Sequence, residues 1–199
     1  MSRLIESIRL LDGKFYNLFY HQQRMNHACM MLFDSSDFID LNKVLEKANP
    51  PEKGLYKCRV VYDDHTATVE FVPYTPASIK TLRVVESADI SYEYKFRDRA
   101  GLDALYSMRG ECDDILIVKE DQVTDTYFAN IVFKNNEGWC TPESTLLKGT
   151  MRQSLLDNKK IREERITKQD IRYFQRFKLI NAMLGFEGPE QDIANIILT

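Results

Sequence analysis

The sequence predicts an α+β fold with two domains, and three observations support it. Short runs rich in β-branched and aromatic residues, typical of strands, occur in both halves of the chain. Stretches with apolar residues three or four apart, typical of helices, lie between them. Pro73 and Pro76 interrupt the pattern. We therefore predict a small N-terminal α/β domain at residues 1–76 and a larger, β-rich domain at residues 77–199.

Length and composition exclude several classes of protein. The chain has 199 residues, a formal net charge of −3 and 44% hydrophobic residues. It is long enough to bury a core and too apolar for a disordered chain. The slightly acidic balance argues against a nucleic-acid-binding protein. Without an apolar run of about 18 residues or a signal-peptide pattern, we expect no membrane association and a cytoplasmic protein.

The cysteines and histidines predict neither disulfides nor a metal site. Four cysteines are scattered without a C-x-x-C pair, which favours free thiols in a reducing compartment. Three histidines form no H-x-x-x-H pair, so no metal ligand set is expected.

In the N-terminal domain the pattern predicts a hairpin, two helices and two further strands. The hairpin joins residues 4–10 to the aromatic run at 15–20 through Asp12-Gly13. The other predicted elements are helices at 21–33 and 37–48 and strands at 55–62 and 66–72.

In the C-terminal domain we predict a β-meander between two helices. The elements expected there are strands at 80–87 and 90–96, a helix at 99–108, the meander over 115–142, a helix from Gly149 to about 158, a solvated basic stretch at 159–165 and a strand or buried segment at 177–184.

Several segments follow one another in an order that resembles a known family. They are YHQQRM at 20–25, YKFRDR at 94–99, VTDTYFAN at 123–130, TP at 141–142, GTMRQ at 149–153 and NAM at 181–183. Over roughly residues 4–185 the chain resembles the class IV aminotransferases, the fold-type IV pyridoxal-phosphate enzymes. This resemblance implies a fold like that of D-amino-acid aminotransferase, a pyridoxal 5'-phosphate cofactor, a small amine substrate and a homodimer.

Lys95 is the candidate catalytic residue. Pyridoxal phosphate needs an amine to hold its aldehyde as a Schiff base. Tyr94 and Phe96 flank Lys95, and desolvation by aromatic neighbours favours a neutral, nucleophilic amine. By position alone Lys95 is one lysine among many; the resemblance implies that it is the Schiff-base lysine and general base.

The other cofactor contacts are also implied by the resemblance. Arg24, in an H-x-x-R segment, matches the arginine that binds the phosphate. The backbone amides of Thr150 and Met151 open a predicted helix and would add donors for that anion. Asp125 matches the carboxylate at the pyridine nitrogen, where the family usually has glutamate; a plain strand-edge aspartate is the alternative. Asn130 is expected to support the cofactor site.

Within the family, the segments at 149–153 and 181–183 resemble aminodeoxychorismate lyases more than transaminases. The expected reaction converts 4-amino-4-deoxychorismate to 4-aminobenzoate and pyruvate, a step of folate biosynthesis. An aminotransferase acting on D-amino or branched-chain amino acids, and a degenerate homologue without turnover, remain alternatives. Ser7 and Arg97 are candidate substrate-binding residues. The N-terminal domain is expected to be shortened relative to the family.

Overall fold

The structure, a computed structural model, describes residues 3–198 and divides into two compact units. Unit 1 comprises the chain up to Pro76 together with Tyr94–Asp98, and unit 2 comprises Ala77–Glu93 and the chain from Arg99 onward. The sequence-based boundary at residue 76 does not anticipate the return of residues 94–98 to unit 1. They return because the backbone N–H of Ile5 donates to the carbonyl of Lys95 at 2.9 Å.

Unit 1 is an antiparallel sheet with two helices. Its elements are β1 (Leu4–Leu11), β2 (Lys14–Phe15), α1 (Leu18–Phe33), α2 (Leu41–Glu46), β3 (Leu55–Tyr62) and β4 (Ala67–Pro73). The strand order is β2-β1-β3-β4. Because side chains alternate between the two faces of a strand, Leu4, Ile8 and Leu10 lie on the same face of β1, and all three are buried. Leu4 and Ile8 pack in one core cluster with Met25 of α1.

Two predictions for unit 1 are wrong in their extent. The second strand of the hairpin stops at Phe15, and α1 begins at Leu18, inside the aromatic run predicted as strand. Asn17 adopts a left-handed backbone conformation with φ 58°, which asparagine tolerates better than most residues and which ends the extended run. Aromatic residues favour strands, but the burial of one face of α1 overrides that propensity here.

The second predicted helix is shorter than expected. α2 spans six residues and begins after Asp40, whose side chain accepts a hydrogen bond from the backbone N–H of Lys43 at 3.2 Å. This N-cap fixes the start of the helix.

Unit 2 contains most of the strands. Its elements are β5 (Leu82–Glu86), α3 (Ala100–Ser107), β6 (Asp114–Lys119), β7 (Gln122–Thr126), β8 (Asn130–Asn135), β9 (Gly138–Pro142), α4 (Thr150–Asp157), β10 (Arg162–Glu164), a 3₁₀ helix (Lys168–Tyr173), β11 (Arg176–Ile180), β12 (Gln191–Asp192), a second 3₁₀ helix (Ile193–Asn195) and β13 (Ile196–Ile197). Strands β6 to β9 form the predicted antiparallel meander, and β11 lies beside β8.

The combination of helices and mostly antiparallel sheets confirms the α+β class. The extended run predicted at 90–96 is wrong, because only an isolated bridge between Leu4 and Phe96 forms there. Part of the stretch predicted as a solvated loop at 159–165 is β10, which pairs with β9 in parallel.

Two further properties bear on the environment of the protein. Within residues 3–198, no helix combines the length and apolarity needed to cross a membrane. All four cysteines are free thiols, and Cys29, Cys58 and Cys140 are buried.

Candidate active site

Unit 1 holds a buried polar cluster formed by Glu6, His21 and Arg24. Glu6 occupies a core-facing position of β1 between the apolar residues Leu4 and Ile8, and its side chain is fully buried. Nδ1 of His21 lies 2.6 Å from Oε2 of Glu6. Arg24 donates from Nε to Oε1 at 2.8 Å and from Nη2 to Oε2 at 2.5 Å. One carboxylate therefore orients both named residues of the H-x-x-R segment.

The charges in this cluster are balanced. Burial alone would raise the pKa of Glu6, but Arg24 and His21 outweigh it and lower that pKa to about 2. Burial lowers the pKa of His21, and the positive charges of Arg24 and Lys95 lower it further, against the opposing effect of Glu6. A neutral His21 therefore donates from Nδ1 to the carboxylate of Glu6, which also pairs with the Arg24 guanidinium.

Glu6→Gln is expected to destabilise the protein by about 3 kcal/mol, because it leaves the Arg24 charge without its buried partner. The wild-type contribution is present above pH 4.5, the ordinary pKa of the group, and is lost as the pH falls towards 2, its pKa in the folded protein. Urea denaturation at several pH values between 2.5 and 7 measures both effects. Glu70→Gln, an exposed position on β4, is the matched control and should change little. An equal acid dependence in wild type and Glu6→Gln would contradict the assignment.

Lys95 lies at the centre of a three-residue turn rather than in the predicted extended run. The backbone N–H of Phe96 donates to the carbonyl of Tyr94 at 2.8 Å, which closes a turn of the γ type. Tyr94 and Phe96 pack against the core of unit 1 and anchor the turn on both sides. Lys95 itself is half-buried, and its charge acts on His21.

The two candidate substrate residues of unit 1 lie in different settings. Ser7 is half-buried on β1, one residue after Glu6, so its side chain faces the opposite side of the sheet from the Glu6 cluster. Arg97 is exposed, and its backbone N–H donates to the carbonyl of Arg3 at 2.8 Å. Within unit 1 the structure thus groups Arg24 with Glu6 and His21, but not with Ser7.

Unit 2 brings Asp125 and Asn130 together. They face each other as a pair between β7 and β8, at the end of the hairpin. Nδ2 of Asn130 donates to Oδ1 of Asp125 at 2.7 Å and to the carbonyl of Leu147 at 3.0 Å. Oδ2 of Asp125 accepts from the backbone N–H groups of Leu146 and Leu147 at 3.1 and 2.8 Å. Both carboxylate oxygens are therefore held in fixed positions.

The environment of Asp125 differs from that of a surface aspartate. Burial raises its pKa to about 6, although the hydrogen bonds from Leu147 and Asn130 and the charge of Arg152 act in the opposite direction. A positively charged ligand group beside this carboxylate would offset the cost of burying its charge. The site thus suits a cationic partner such as a protonated ring nitrogen.

Helix α4 begins next to this pair. Gly149 occupies its N-cap position and has no side chain with which to cap the first-turn amides, which include those of Thr150 and Met151. Arg152 is buried and donates from Nη2 to the carbonyl of Pro142 at 2.9 Å and to Glu163 at 2.6 Å. These bonds tie the first turn of α4 to the end of β9 and to β10. An anion at the helix start would meet backbone donors and the positive end of the helix dipole.

Gly149→Ala is expected to destabilise unit 2 by about 1–3 kcal/mol through steric overlap. A Cβ at this position would lie 1.9 Å from Oδ1 of Asn130, so the amide that contacts Asp125 would have to move. Gly188→Ala is the matched control, because its Cβ would meet nothing closer than 4.0 Å. Urea denaturation of both variants measures the difference. Equal stability of the two variants would show that Asn130 relocates without cost.

Sequence reasoning missed Glu6, although the alternation of β1 marks position 6 as core-facing. It also missed the roles of Leu146 and Leu147, which contribute only backbone groups and leave no signal in the residue types. The remaining candidates were found through the family resemblance.

Comparison with solved structures supports an aminotransferase-type fold. A protein of Haemophilus somnus 129PT, provisionally named a 4-amino-4-deoxychorismate lyase, has a TM-score of 0.89 and 34% identity, over 94% of this chain and 98% of that one. A hypothetical aminotransferase of Mycobacterium tuberculosis, solved in its pyridoxal-phosphate-bound form, has a TM-score of 0.74 over 92% of this chain and 78% of that one. At 17% identity, this second likeness shows the fold alone.

Sequence similarity establishes the family to which the chain belongs. An uncharacterised protein of Haemophilus influenzae is 33% identical over 187 residues, which cover 93% of this chain and all of that protein. The chain belongs to the amino-transferase class IV family, which it matches over residues 3–187. The family resemblance drawn from the ordered segments is thereby confirmed, and with it membership of a pyridoxal-phosphate-dependent enzyme family.

Proposed function

We propose that this protein is a pyridoxal-phosphate-dependent lyase that converts 4-amino-4-deoxychorismate to 4-aminobenzoate and pyruvate, as in folate biosynthesis. The observation that supports cofactor chemistry is the buried carboxylate of Asp125, which hydrogen bonds hold in position beside the first turn of α4. The choice of the lyase over a transaminase is supported by the 34% identity to the provisionally named lyase of Haemophilus somnus.

The described residues fit the cofactor in chemical type. When bound, pyridoxal phosphate acts as an electron sink for the carbanion that forms beside the substrate nitrogen. Arg24 and the amides of Thr150 and Met151 supply donors for a phosphate. Asp125 supplies a buried negative charge for the ring nitrogen, and Asn130 keeps its carboxylate oriented. Lys95 supplies the amine that holds the aldehyde.

Lys95 carries the proton transfer in this proposal. With the cofactor bound, Nζ of Lys95 would act as the general base that removes the proton from C4 of the substrate. Breaking the bond between C3 and the ether oxygen would then make the ring aromatic and release the three-carbon group as its enolate. The proton taken from C4 would be returned by Nζ of Lys95 to the methylene carbon of that enolate, which gives pyruvate. Glu6 holds the Arg24 guanidinium in one orientation, so Arg24 loses less conformational entropy when it binds a phosphate.

The substrate carries carboxylates, which an arginine can pair with. The exposed Arg97 is the proposed partner for one of them. Ser7 is proposed to contact the substrate through its hydroxyl.

The test is an assay of the purified, cofactor-loaded protein with aminodeoxychorismate and no keto acid. We expect equal amounts of aminobenzoate and pyruvate, because the lyase reaction needs no amino acceptor. Absence of both products, together with turnover of D-alanine or a branched-chain amino acid in the presence of 2-oxoglutarate, would instead establish an aminotransferase. Bound cofactor without any turnover would indicate a degenerate homologue.

We further propose a cytoplasmic homodimer. Four free thiols are consistent with a reducing compartment. Phe19, Met30 and Met31 of α1 expose 64, 51 and 58% of their surface, and such apolar side chains suit a subunit interface. Light scattering of the purified protein measures its mass in solution.

A further inference from the structure

We propose that Asp114 and Arg99 are positioning residues for the turn between Asp125 and Asn130. Their hydrogen bonds to the backbone N–H and carbonyl of Tyr127 keep this turn in place, and the affinity for the cofactor depends on them. The inference rests on the proposed cofactor function, because it concerns the alignment of the carboxylate assigned to the ring nitrogen.

The turn at residues 126–129 joins the two residues of the candidate site. All of its internal hydrogen bonds given by the structure join Thr126 to Ala129. The backbone N–H and the hydroxyl of Thr126 donate to the Ala129 carbonyl at 2.9 and 3.1 Å, and the Ala129 N–H donates to the Thr126 hydroxyl oxygen at 3.2 Å. Since Asp125 and Asn130 are the pair that closes this turn, a shift of the turn moves both side chains.

Polar side chains from other elements hold the turn from outside. Oδ1 of Asp114, at the start of β6, accepts from the backbone N–H of Tyr127 at 3.3 Å and from that of its neighbour Ile115 at 2.7 Å. Arg99, which precedes α3, donates from Nη2 to the carbonyl of Tyr127 in a short hydrogen bond. Asn181 donates to the carbonyl of the next residue, Phe128, at 3.3 Å. The NAM segment singled out in the sequence thus contributes to the same turn.

The Tyr127 side chain is also held by contacts with other residues. Its hydroxyl donates to Asp103 at 2.6 Å. The Arg99 guanidinium lies 4.2 Å from the centre of one ring face, and the Tyr106 ring stacks with a centroid distance of 4.2 Å. Such stacking of a cation and two rings is favourable and restricts the motion of the turn.

The buried polar atoms of Asp114 and Arg99 lower the stability of the fold, which a purely structural role does not explain. Oδ2 of Asp114 and Nε of Arg99 are both buried, and neither has a hydrogen-bond partner among residues 3–198. Buried polar atoms in this state call for an explanation, since each lowers stability. Positioning the cofactor carboxylate gives that explanation.

The test compares Asp114→Ala with Asp114→Asn and with Asp113→Ala. Asp113 is the matched control, because it also accepts from two backbone N–H groups, but those of Lys80 and Thr81. Cofactor affinity is measured by titration with pyridoxal phosphate at pH 8, where Asp114 is ionised. Hydrogen exchange of the peptide covering the turn is measured on the cofactor-free protein.

We expect Asp114→Ala to weaken cofactor binding about tenfold and to speed hydrogen exchange in the turn, because the partly buried backbone N–H of Tyr127 loses its acceptor. Asp114→Asn keeps an acceptor oxygen and should restore both properties. Arg99→Gln, which removes the other contact to Tyr127, should act in the same direction even if Asp114→Ala does not fold.

Three results would overturn the proposal. Unchanged cofactor affinity in both Asp114→Ala and Arg99→Gln would remove the positioning role while leaving the proposed function intact. An equal loss in Asp113→Ala would reduce the effect to general stability. A wild-type protein that binds no pyridoxal phosphate would overturn the proposed function itself, and the positioning role with it.

Discussion

Lys95→Ala is expected to abolish covalent attachment of the cofactor and to reduce turnover by at least about 10²–10⁴-fold, the range contributed by a general base alone. The loss follows because one amine serves both as the covalent anchor and as the base. In the wild type, added pyridoxal phosphate should give an absorbance band that borohydride converts into a stable adduct on the peptide containing Lys95. Mass spectrometry of the digested protein locates that adduct.

Two variants separate the chemistry of Lys95 from its charge and from general effects. Lys95→Arg keeps a positive charge near His21 but has no amine that can form the link, so it should fail as Lys95→Ala does. Lys53→Ala removes an exposed lysine of unit 1 and should retain the adduct and the activity. A borohydride-fixed adduct in Lys95→Ala, attached to another lysine, would refute the assignment.

The turn that carries Lys95 shows where sequence reasoning reaches its limit. The motif order singles out Lys95 as the candidate Schiff-base lysine, because the resemblance rests on residue types and their order. The local conformation is not recoverable in the same way: the aromatic neighbours predict a strand, whereas the pairing of Lys95 with Ile5, ninety residues earlier, selects a turn. Contacts between residues far apart in sequence decide such cases, and periodicity does not report them.

The same reasoning explains which elements were predictable. Strands β3, β4 and β6 to β9 have strong β propensity and clear turn residues at their ends, so their predicted ranges agree closely with the structure. The run at 15–20 fails because its aromatic residues are compatible with a strand and with α1 alike. Glu6 was overlooked because a charged residue in a short alternating run is normally assigned to the solvent face.

By the family resemblance, Asp125 stands where glutamate is usual, and hydrogen bonds to both of its oxygens hold the shorter side chain in place. Its two oxygens accept three hydrogen bonds, from N–H groups of Asn130, Leu146 and Leu147. These bonds hold the carboxylate in one position. We therefore expect that a glutamate at this position, with its extra methylene, would not place its carboxylate on the same three donors.

Asp125→Asn is expected to lower turnover roughly 10²–10³-fold, the range seen when one electrostatic partner of a developing charge is removed. It should also destabilise the protein by about 1–3 kcal/mol, because an amide has one acceptor oxygen where the carboxylate has two, and a buried donor then loses its partner. Steady-state kinetics and urea denaturation measure the two effects. Asp121→Asn, at an exposed turn, is the control and should change neither.

The pH dependence distinguishes the charge of Asp125 from its hydrogen bonds. The folded protein raises the pKa of Asp125 from 3.8 to about 6, so it binds this proton more tightly than the unfolded chain does. Wild-type stability should therefore fall as the pH rises from about 4 to 6, the opposite sign to the Glu6 effect. Burial raises the pKa of Asp114 to about 6 as well, so Asp125→Asn should make this fall smaller without removing it.

Asp125→Glu provides the decisive contrast, because it restores the residue usual in the family. Its extra methylene must displace the carboxylate from the donors of Leu146 and Leu147, and overpacking of a buried site costs about 1–3 kcal/mol. We therefore expect this variant to be less stable and less active than the wild type, despite its retained charge. If Asp125→Glu matched or exceeded the wild type in turnover, the backbone around Leu146 would have to adapt to the longer side chain. The position in which the structure holds the Asp125 carboxylate would then not determine activity.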